Sequence, residues 1–201
     1  MLGELMSGEE SKLFLVVGLG NPGAKYRETR HNIGFECLDE LHRRMGSPTP
    51  TTKFEGQWVR GKRDGTDLIL LWPLTFMNAS GRSVAQTVGF FKIPVDRVLV
   101  VCDDMSLPLG KLRLRKRGSS GGQKGLGDIL NSLGTQDVPR LRLGIDPPPP
   151  SWDVADFVLS KFPAAERTVV NEAIVRAVDA IEHWLKSGIE SCMNEYNRER
   201  E

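Results

Sequence analysis

The stretch that decides the fold is residues 14–35, FLVVGLGNPGAKYRETRHNIGF. Residues 14–17 form an apolar run with the length and β-branched content of a buried strand. The run breaks into a glycine-rich loop over 18–23, where the backbone can come close to a ligand. Apolar residues then recur at helical spacing, which predicts a helix that begins near Asn32. The pattern indicates a strand, a glycine loop and a histidine, His31, brought together at one edge of a sheet.

Length and composition indicate one globular domain. The chain has 201 residues, of which 26% are charged and 39% hydrophobic, and no apolar run reaches membrane-spanning length. Its three cysteines are scattered, with no disulfide framework and no metal-ligand spacing, so we expect a reducing, cytoplasmic location. Residues 1–11 are acidic and lack the apolar core of a signal peptide. We predict a flexible N-terminal tail over 1–11 and a single domain over 12–201.

Turn signals and hydrophobic periodicity predict the remaining elements. Residues 57–62 and 67–72 are predicted to form a hairpin around Asp64-Gly65, and 95–102 a further strand. Helices are predicted after PLTFMNASG (73–81), over 126–133, and from Pro163 to a stop at Gly188. Because strands and helices roughly alternate, the predicted fold class is α/β: a single domain with a twisted mixed β-sheet flanked by helices on both faces.

Basic residues are concentrated in the first three quarters of the chain. Residues 151–201 carry six lysines and arginines against ten acidic residues, whereas residues 1–150 carry 21 against 16. The predicted strand 111–117 places Lys111, Arg113 and Arg115 on one face, and the predicted strand 140–145 directs Arg140 and Arg142 outward. Such a row suits a phosphate backbone. A solvated edge strand, protected by charge from aggregation, explains it equally well.

Two glycine motifs resemble known nucleotide and hydrolase patterns. Gly18-x-Gly20-x-x-Gly23 fits the dinucleotide fingerprint, but a polar tract separates it from the following helix, which disfavours that interpretation. Gly118-x-Ser120-x-Gly122 fits a nucleophile elbow, with acidic residues and His183 following in the order of a serine esterase triad. The strand before it is half basic, whereas an elbow follows a buried strand, so the serine esterase is the weaker alternative.

His31 is the best candidate for a catalytic base among the three histidines. It lies at a polar junction between loop and helix, and Asp103 ends an apolar strand, the usual place for a functional carboxylate in an α/β fold. An aspartate that accepts from one ring nitrogen leaves the other free to take a proton from water. Asn21 and Asn78 follow predicted strand ends and could orient water or polarise a carbonyl, although a turn residue and a helix cap explain them too.

These motifs together resemble the bacterial-type peptidyl-tRNA hydrolases. VVGLGNPGAKYRETRHNIGF (16–35) is similar to that family's opening signature, PLTFMNASG (73–81) to its second motif, and CDDMSLPLGKLRLRKRGSSGGQKGL (102–126) to its third. The motifs come in the family's order, and the resemblance runs from about Leu13 to the C-terminal helices.

The resemblance implies an enzyme that hydrolyses the ester between a peptide and the 3′-terminal ribose of tRNA, with no metal or cofactor. It implies His31 as the base for water, oriented by Asp103, with Asn21 positioning the water. The substrate-binding residues implied are Tyr26, Met77, Asn78, Gln123 and Lys124, and the contacts to tRNA phosphate are Arg113, Arg115 and Arg142. The partner implied is peptidyl-tRNA, held at its acceptor stem and 3′ end by a cytoplasmic monomer.

One departure from the family pattern affects the site. The third motif of the family usually reads Gly-Gly-His-Asn-Gly, whereas this chain has Gly-Gly-Gln-Lys-Gly over 121–125. Lys124 therefore replaces a substrate-binding asparagine, and brings a charge that favours phosphate. We expect catalysis to survive, because His31, Asp103 and both asparagines remain. The rival hypothesis is an RNA-binding protein of the same fold that has lost hydrolysis.

Overall fold

The computed structural model describes residues 12–198, and the tail predicted over 1–11 lies outside the described residues. Within that range the strands are β1 Phe14–Gly18, β2 Thr51–Lys53, β3 Gly56–Arg63, β4 Thr66–Pro73, β5 Val98–Asp104, β6 Leu112–Arg115 and β7 Arg140–Gly144. The α-helices are α1 Ile33–Met45, α2 Ser80–Phe91, α3 Lys124–Leu133, α4 Val154–Leu159 and α5 Ala164–Tyr196.

The strands form one mixed sheet of seven in the order β2-β3-β4-β1-β5-β7-β6. The four central strands, β4, β1, β5 and β7, are parallel. The predicted hairpin forms β3 and β4, and β6 runs antiparallel to β7 at the opposite edge. Parallel strands place their carboxyl ends together, so the loops after β1, β4, β5 and β7 meet at one edge of the sheet.

Helices cover both faces of the sheet, as the sequence predicts. Alternating residues of β1 serve two cores: Val16 packs on the face of α1 and α5, while Leu15 and Val17 pack on the face of α2 and α3. All three side chains are fully buried. Strands β1, β4 and β5 are therefore largely apolar on both faces, which is why they appear in the sequence as continuous apolar runs.

A pair of glycines brings α1 against the sheet. A Cβ atom at Gly34 would lie 2.5 Å from the carbonyl oxygen of Val101, and one at Gly18 would lie 2.4 Å from the carbonyl oxygen of Gly34. No larger residue fits at either position without moving backbone. This close approach fixes the start of α1, and with it His31, against the end of β5.

The structure corrects several predicted boundaries. Residues 95–97 form a 3₁₀ turn, so the strand predicted over 95–102 begins at Val98 and continues to Asp104. The strand predicted over 111–117 is limited to β6, and the one predicted over 140–145 ends at Gly144. The helix predicted from Pro163 breaks at Gly188, where φ is 78°, and resumes to Tyr196. The short helix α4 has no counterpart in the predictions.

Arg140 contradicts its predicted outward placement. Its side chain is only 1% exposed, because the loop 118–122 folds over this face of β7. The guanidinium donates to the carbonyl oxygens of Val138, Gly118, Ser119 and Gln136. Burial lowers the pKa of Arg140. Alternation along a strand predicts a face of the sheet, but not whether a loop covers that face.

Candidate active site

The loops at the carboxyl edge of the sheet surround one cleft of about 760 Å³. Each central strand contributes to it: Asn21 follows β1, Met77 follows β4, Asp103 lies in β5 and Arg142 in β7. The other predicted residues that line the cleft are Tyr26, His31, Asn78, Gln123 and Lys124. The sequence-predicted catalytic and substrate-binding residues therefore share one cavity.

His31 and Asp103 form the hydrogen-bonded pair predicted from the sequence. Nδ1 of His31 lies 2.9 Å from Oδ2 of Asp103. The aspartate side chain is 3% exposed and that of the histidine 11%. A carboxylate buried in this way accepts a hydrogen bond from Nδ1–H, which leaves the lone pair on Nε2 available at the cleft. The pair has the geometry of a base and its orienting group.

Asn21 is held rigidly by hydrogen bonds that leave its side-chain nitrogen, Nδ2, free to bind a group in the cleft. Its Oδ1 accepts from the backbone N–H of Met77 at 2.9 Å. Asn32 fixes the backbone of Asn21 from the other side, accepting from its N–H at 2.9 Å and donating to its carbonyl at 3.0 Å. Among the described residues no acceptor binds Asn21 Nδ2. This N–H₂ group can therefore donate to an oxygen atom in the cleft.

Sequence reasoning missed two residues beside His31 that secure its loop. Arg30 is 5% exposed, stacks on Phe157 and Phe162, and pairs with Glu166 at 2.8 Å. It thereby attaches the histidine loop to α4 and α5. Asn32 is the second such residue, through its bonds to Asn21. The polar triplet Arg-His-Asn at a helix start was the available signal, but only the histidine was predicted to have a role.

Arg142 and Asp104 stabilise the glycine loop that carries Gln123. Nη1 of Arg142 lies 2.9 Å from Oδ2 of Asp104, and Nη2 donates to the carbonyl oxygen of Ser120 at 2.5 Å. The Arg142 side chain is 15% exposed, so it lines the cleft with its charge already paired. A contact between Arg142 and tRNA phosphate stays a prediction.

Arg113 and Arg115 lie on the edge strand, next to the two inner arginines. The register pairs Arg113 with Arg142 and Arg115 with Arg140, so all four side chains share one face of the sheet. Their neighbours Leu112 and Leu114 are buried in the core, which confirms the predicted alternation. Within residues 12–198 neither Arg113 nor Arg115 has an ion-pair partner; Arg113 is half-buried next to Arg142, which lines the cleft, and Arg115 is exposed.

Neither the serine esterase nor the dinucleotide site considered from the sequence fits the structure, and the buried Cys102 is no alternative nucleophile. Ser120 and His183 do not meet, because His183 contacts Ser191 and Glu195 instead. The loop of the dinucleotide pattern leads into short 3₁₀ turns before α1, and Gly20 packs on the ring of Phe35. Burial, with the charge of Asp103 adding to it, raises the pKa of the Cys102 thiol to about 12. That thiol is therefore protonated near neutral pH and is a poor nucleophile.

Comparison with known proteins identifies the family. Residues 15–201 match the family model described as peptidyl-tRNA hydrolase. The chain is 50% identical to a peptidyl-tRNA hydrolase of Rhodopirellula baltica, over 91% of this chain and 96% of that one. It is 47% identical to one of Elusimicrobium minutum, over 92% and 98%.

A solved structure agrees with the sequence relatives. The crystal structure of peptidyl-tRNA hydrolase from Acinetobacter baumannii superimposes with a TM-score of 0.88 at 35% identity, covering 98% of this chain and 99% of that chain. The mixed sheet with helices on both faces is therefore the fold of these enzymes. With the family match over residues 15–201 and relatives up to 50% identical, this chain belongs to the peptidyl-tRNA hydrolase family.

Proposed function

We propose that this chain hydrolyses the ester bond between the peptide and the 3′-terminal ribose of peptidyl-tRNA, which releases the tRNA for reuse. The observation that carries the proposal is the buried His31–Asp103 pair at the wall of the cleft, 2.9 Å apart. The similarity to named peptidyl-tRNA hydrolases supports the substrate.

In the mechanism that we propose, His31 acts first as a base and then as an acid. Nε2 takes a proton from water as the water oxygen attacks the ester carbonyl carbon. The carbonyl oxygen becomes an oxyanion. Asn21 Nδ2 can donate a hydrogen bond to this oxyanion or to the attacking water. When the tetrahedral intermediate collapses, the bond to the ribose oxygen breaks and the imidazolium returns its proton to that oxygen. The products are a peptide carboxylic acid and a tRNA with a free 3′-hydroxyl.

The remaining cleft residues divide into contacts to the peptide and contacts to the nucleic acid. Asn78 and Tyr26 line the cleft with polar groups, and Met77 offers a flexible apolar surface suited to varied peptides. Lys124 is exposed at the cleft mouth, where an ammonium suits a phosphate near the tRNA 3′ end. We place the acceptor stem along Arg113 and Arg115, on the adjacent edge strand.

The proposed function is tested by identifying both products. The native chain should release labelled peptide from N-acyl-aminoacyl-tRNA and leave a tRNA that its synthetase can charge again. Recharging distinguishes ester hydrolysis from cleavage within the RNA. Release of shortened RNA, or tRNA that cannot be recharged, would contradict the proposal.

We propose that the monomer is the active unit, in the cytoplasm where the substrate is made, as the family resemblance implies. Among the described residues no helix has the length and apolar character required to cross a membrane. Light scattering during size-exclusion chromatography, at concentrations used for activity, is expected to give the mass of one chain.

Removal of both edge-strand arginines is expected to weaken tRNA binding without slowing chemistry. The double variant Arg113→Ala with Arg115→Ala should make the negative slope of log K against log salt shallower by about 2. That is roughly 1 for each phosphate that an arginine no longer neutralises. Filter binding of tRNA over a salt series measures the slope. As a control, Arg60→Ala with Lys62→Ala removes the same charge from the hairpin at the opposite edge of the sheet, and should leave the slope unchanged. An unchanged slope in the Arg113/Arg115 variant would remove β6 from the tRNA site.

Lys124→Asn, which restores the residue usual in the family, is expected to act on KM. The lysine has no partner among the described residues and does not contact His31 or Asp103. Loss of its charge should raise KM several-fold at low salt, with less effect at high salt, and leave kcat unchanged. Steady-state kinetics at two salt concentrations measures both constants. A large rise in kcat would instead show that the lysine impairs the site.

A further inference from the structure

Gln123 is the buried residue that connects the start of α3 to the His31–Asp103 pair. Its side chain is 8% exposed. Oε1 accepts from the backbone N–H of Leu126 at 2.7 Å, which caps the helix. Nε2 donates to Oδ1 of Asp103 at 3.0 Å and also lies 3.3 Å from the sulfur of Met77. The amide of Gln123 is thus fully engaged inside the protein.

The helix determines which way the amide of Gln123 faces. A backbone N–H can only donate, so the amide oxygen must face Leu126, and the NH₂ group must then face the carboxylate of Asp103. The reverse orientation would put donor against donor and oxygen against carboxylate. It would leave both a helix N–H and a buried carboxylate oxygen without a hydrogen-bond partner, which is unfavourable for buried polar groups.

Gln123 in turn fixes the orientation of the Asp103 carboxylate. One oxygen of the aspartate accepts from Gln123, and the other faces Nδ1 of His31. A carboxylate fixed at both oxygens cannot rotate, and it has only acceptors to offer the histidine. Nδ1 must therefore carry the proton, and Nε2 carries the lone pair that faces the cleft.

We propose that Gln123 is a positioning residue that holds Asp103, and through it keeps His31 in the Nδ1–H tautomer required of a base. Its catalytic meaning rests on the proposed hydrolysis. Gln123 was predicted from the family resemblance to bind substrate, which stays a prediction, and its contacts indicate a role inside the protein as well. Protonation turns the acceptor nitrogen of the histidine usual in the family into a donor, whereas an amide keeps the same donor and acceptor at any ordinary pH. The glutamine therefore supplies a donor that does not depend on pH.

Comparing the native glutamine with three substitutions at position 123 distinguishes this role from helix capping. Gln123→Asn keeps a preferred N-cap but is one methylene too short to reach Asp103. Gln123→Leu removes both the cap and the donor. Gln123→His restores a donor to Asp103 while giving up the native cap. We expect kcat to depend on whether residue 123 donates a hydrogen bond to Asp103. We expect the melting temperature to depend on whether it caps the helix.

The kinetic result expected is a 10- to 100-fold loss of kcat, roughly the range for groups that orient a catalytic ligand, in the Asn and Leu variants. KM should change little, and the His variant should retain most of the native kcat. The melting temperature should fall for Leu and stay near native for Asn. Native kcat in the folded Asn variant would overturn the proposal, because it would show that the cap alone matters.

The tautomer is measured directly by ¹⁵N NMR of the imidazole rings, which needs no substrate. The chain has three histidines, so the His31 signals are assigned by their loss in His31→Ala. Native protein should show Nδ1–H at His31, and the Asn and Leu variants a mixture with Nε2–H. If the native chain proved inactive, this spectrum would still decide the proposal. A native Nε2–H tautomer, or no change in the variants, would overturn it.

Discussion

His31→Ala is expected to lower kcat by about 10³-fold, within the range for loss of a positioned general base. Nε2 of His31 is the group in the cleft whose orientation is fixed for taking a proton from water, through the 2.9 Å contact of Nδ1 with Asp103. Affinity for tRNA should stay near native, because the accessible arginines of β6 are unchanged. Single-turnover release of labelled peptide, together with filter binding, separates the two effects.

Two matched controls accompany the His31 variant. His183→Ala removes a histidine that contacts Ser191 and Glu195 on α5, and Ser120→Ala removes the serine of the elbow pattern. Both should retain native turnover. Loss of activity in Ser120→Ala would instead favour the serine esterase alternative. Loss of both turnover and tRNA binding in His31→Ala would point to misfolding, which circular dichroism would detect.

Asp103→Asn is expected to reduce kcat by up to about 10³-fold, as much as His31→Ala, because an inverted tautomer removes the same base. Gln123 presents an NH₂ group to position 103, so the amide introduced there must turn its oxygen toward Gln123. Its own NH₂ group then faces Nδ1 of His31, which must become an acceptor. The proton moves to Nε2, and the base is lost although the shape of the site is preserved. Peptide release and imidazole ¹⁵N shifts measure the two consequences.

A second substitution should partly reverse the effect of Asp103→Asn. Gln123→Glu keeps the cap on Leu126 and presents an acceptor to position 103. The amide at 103 can then turn its oxygen back to His31 Nδ1, so the double variant should recover activity by roughly tenfold or more over Asp103→Asn alone. If the losses of activity in Asp103→Asn and Gln123→Glu simply added up in the double variant, the hydrogen-bond chain from Leu126 through Gln123 to Asp103 would be contradicted.

The fold and the contact between His31 and Asp103 could be predicted from the sequence because apolar runs and strand ends can be read along the chain. The apolar runs of β1, β4 and β5 predict the central sheet, and the position of Asp103 at a strand end predicts its place beside His31. The role of Arg140 could not be predicted, since alternation assigns a face and says nothing of the loop that covers it. Helix α4 has only six residues, too few for hydrophobic periodicity to show.

The role of Gln123 also depends on contacts between distant segments. Its place before a helix predicts a cap, but glutamine is not among the preferred N-cap residues. The bond to Asp103 exists because β5 and the loop before α3 meet at the same edge of the sheet, 20 residues apart along the chain. The resemblance placed Gln123 at the site, and the hydrogen bonds define what it contacts there.

The measurement that tests the account most directly is release of labelled peptide from N-acyl-aminoacyl-tRNA by the native chain and His31→Ala, side by side. Turnover by the native chain that falls by about 10³-fold in the variant, with tRNA still bound by both, is the predicted result. Binding of tRNA by both chains with turnover by neither would contradict it, and would place this chain with RNA-binding proteins of the same fold.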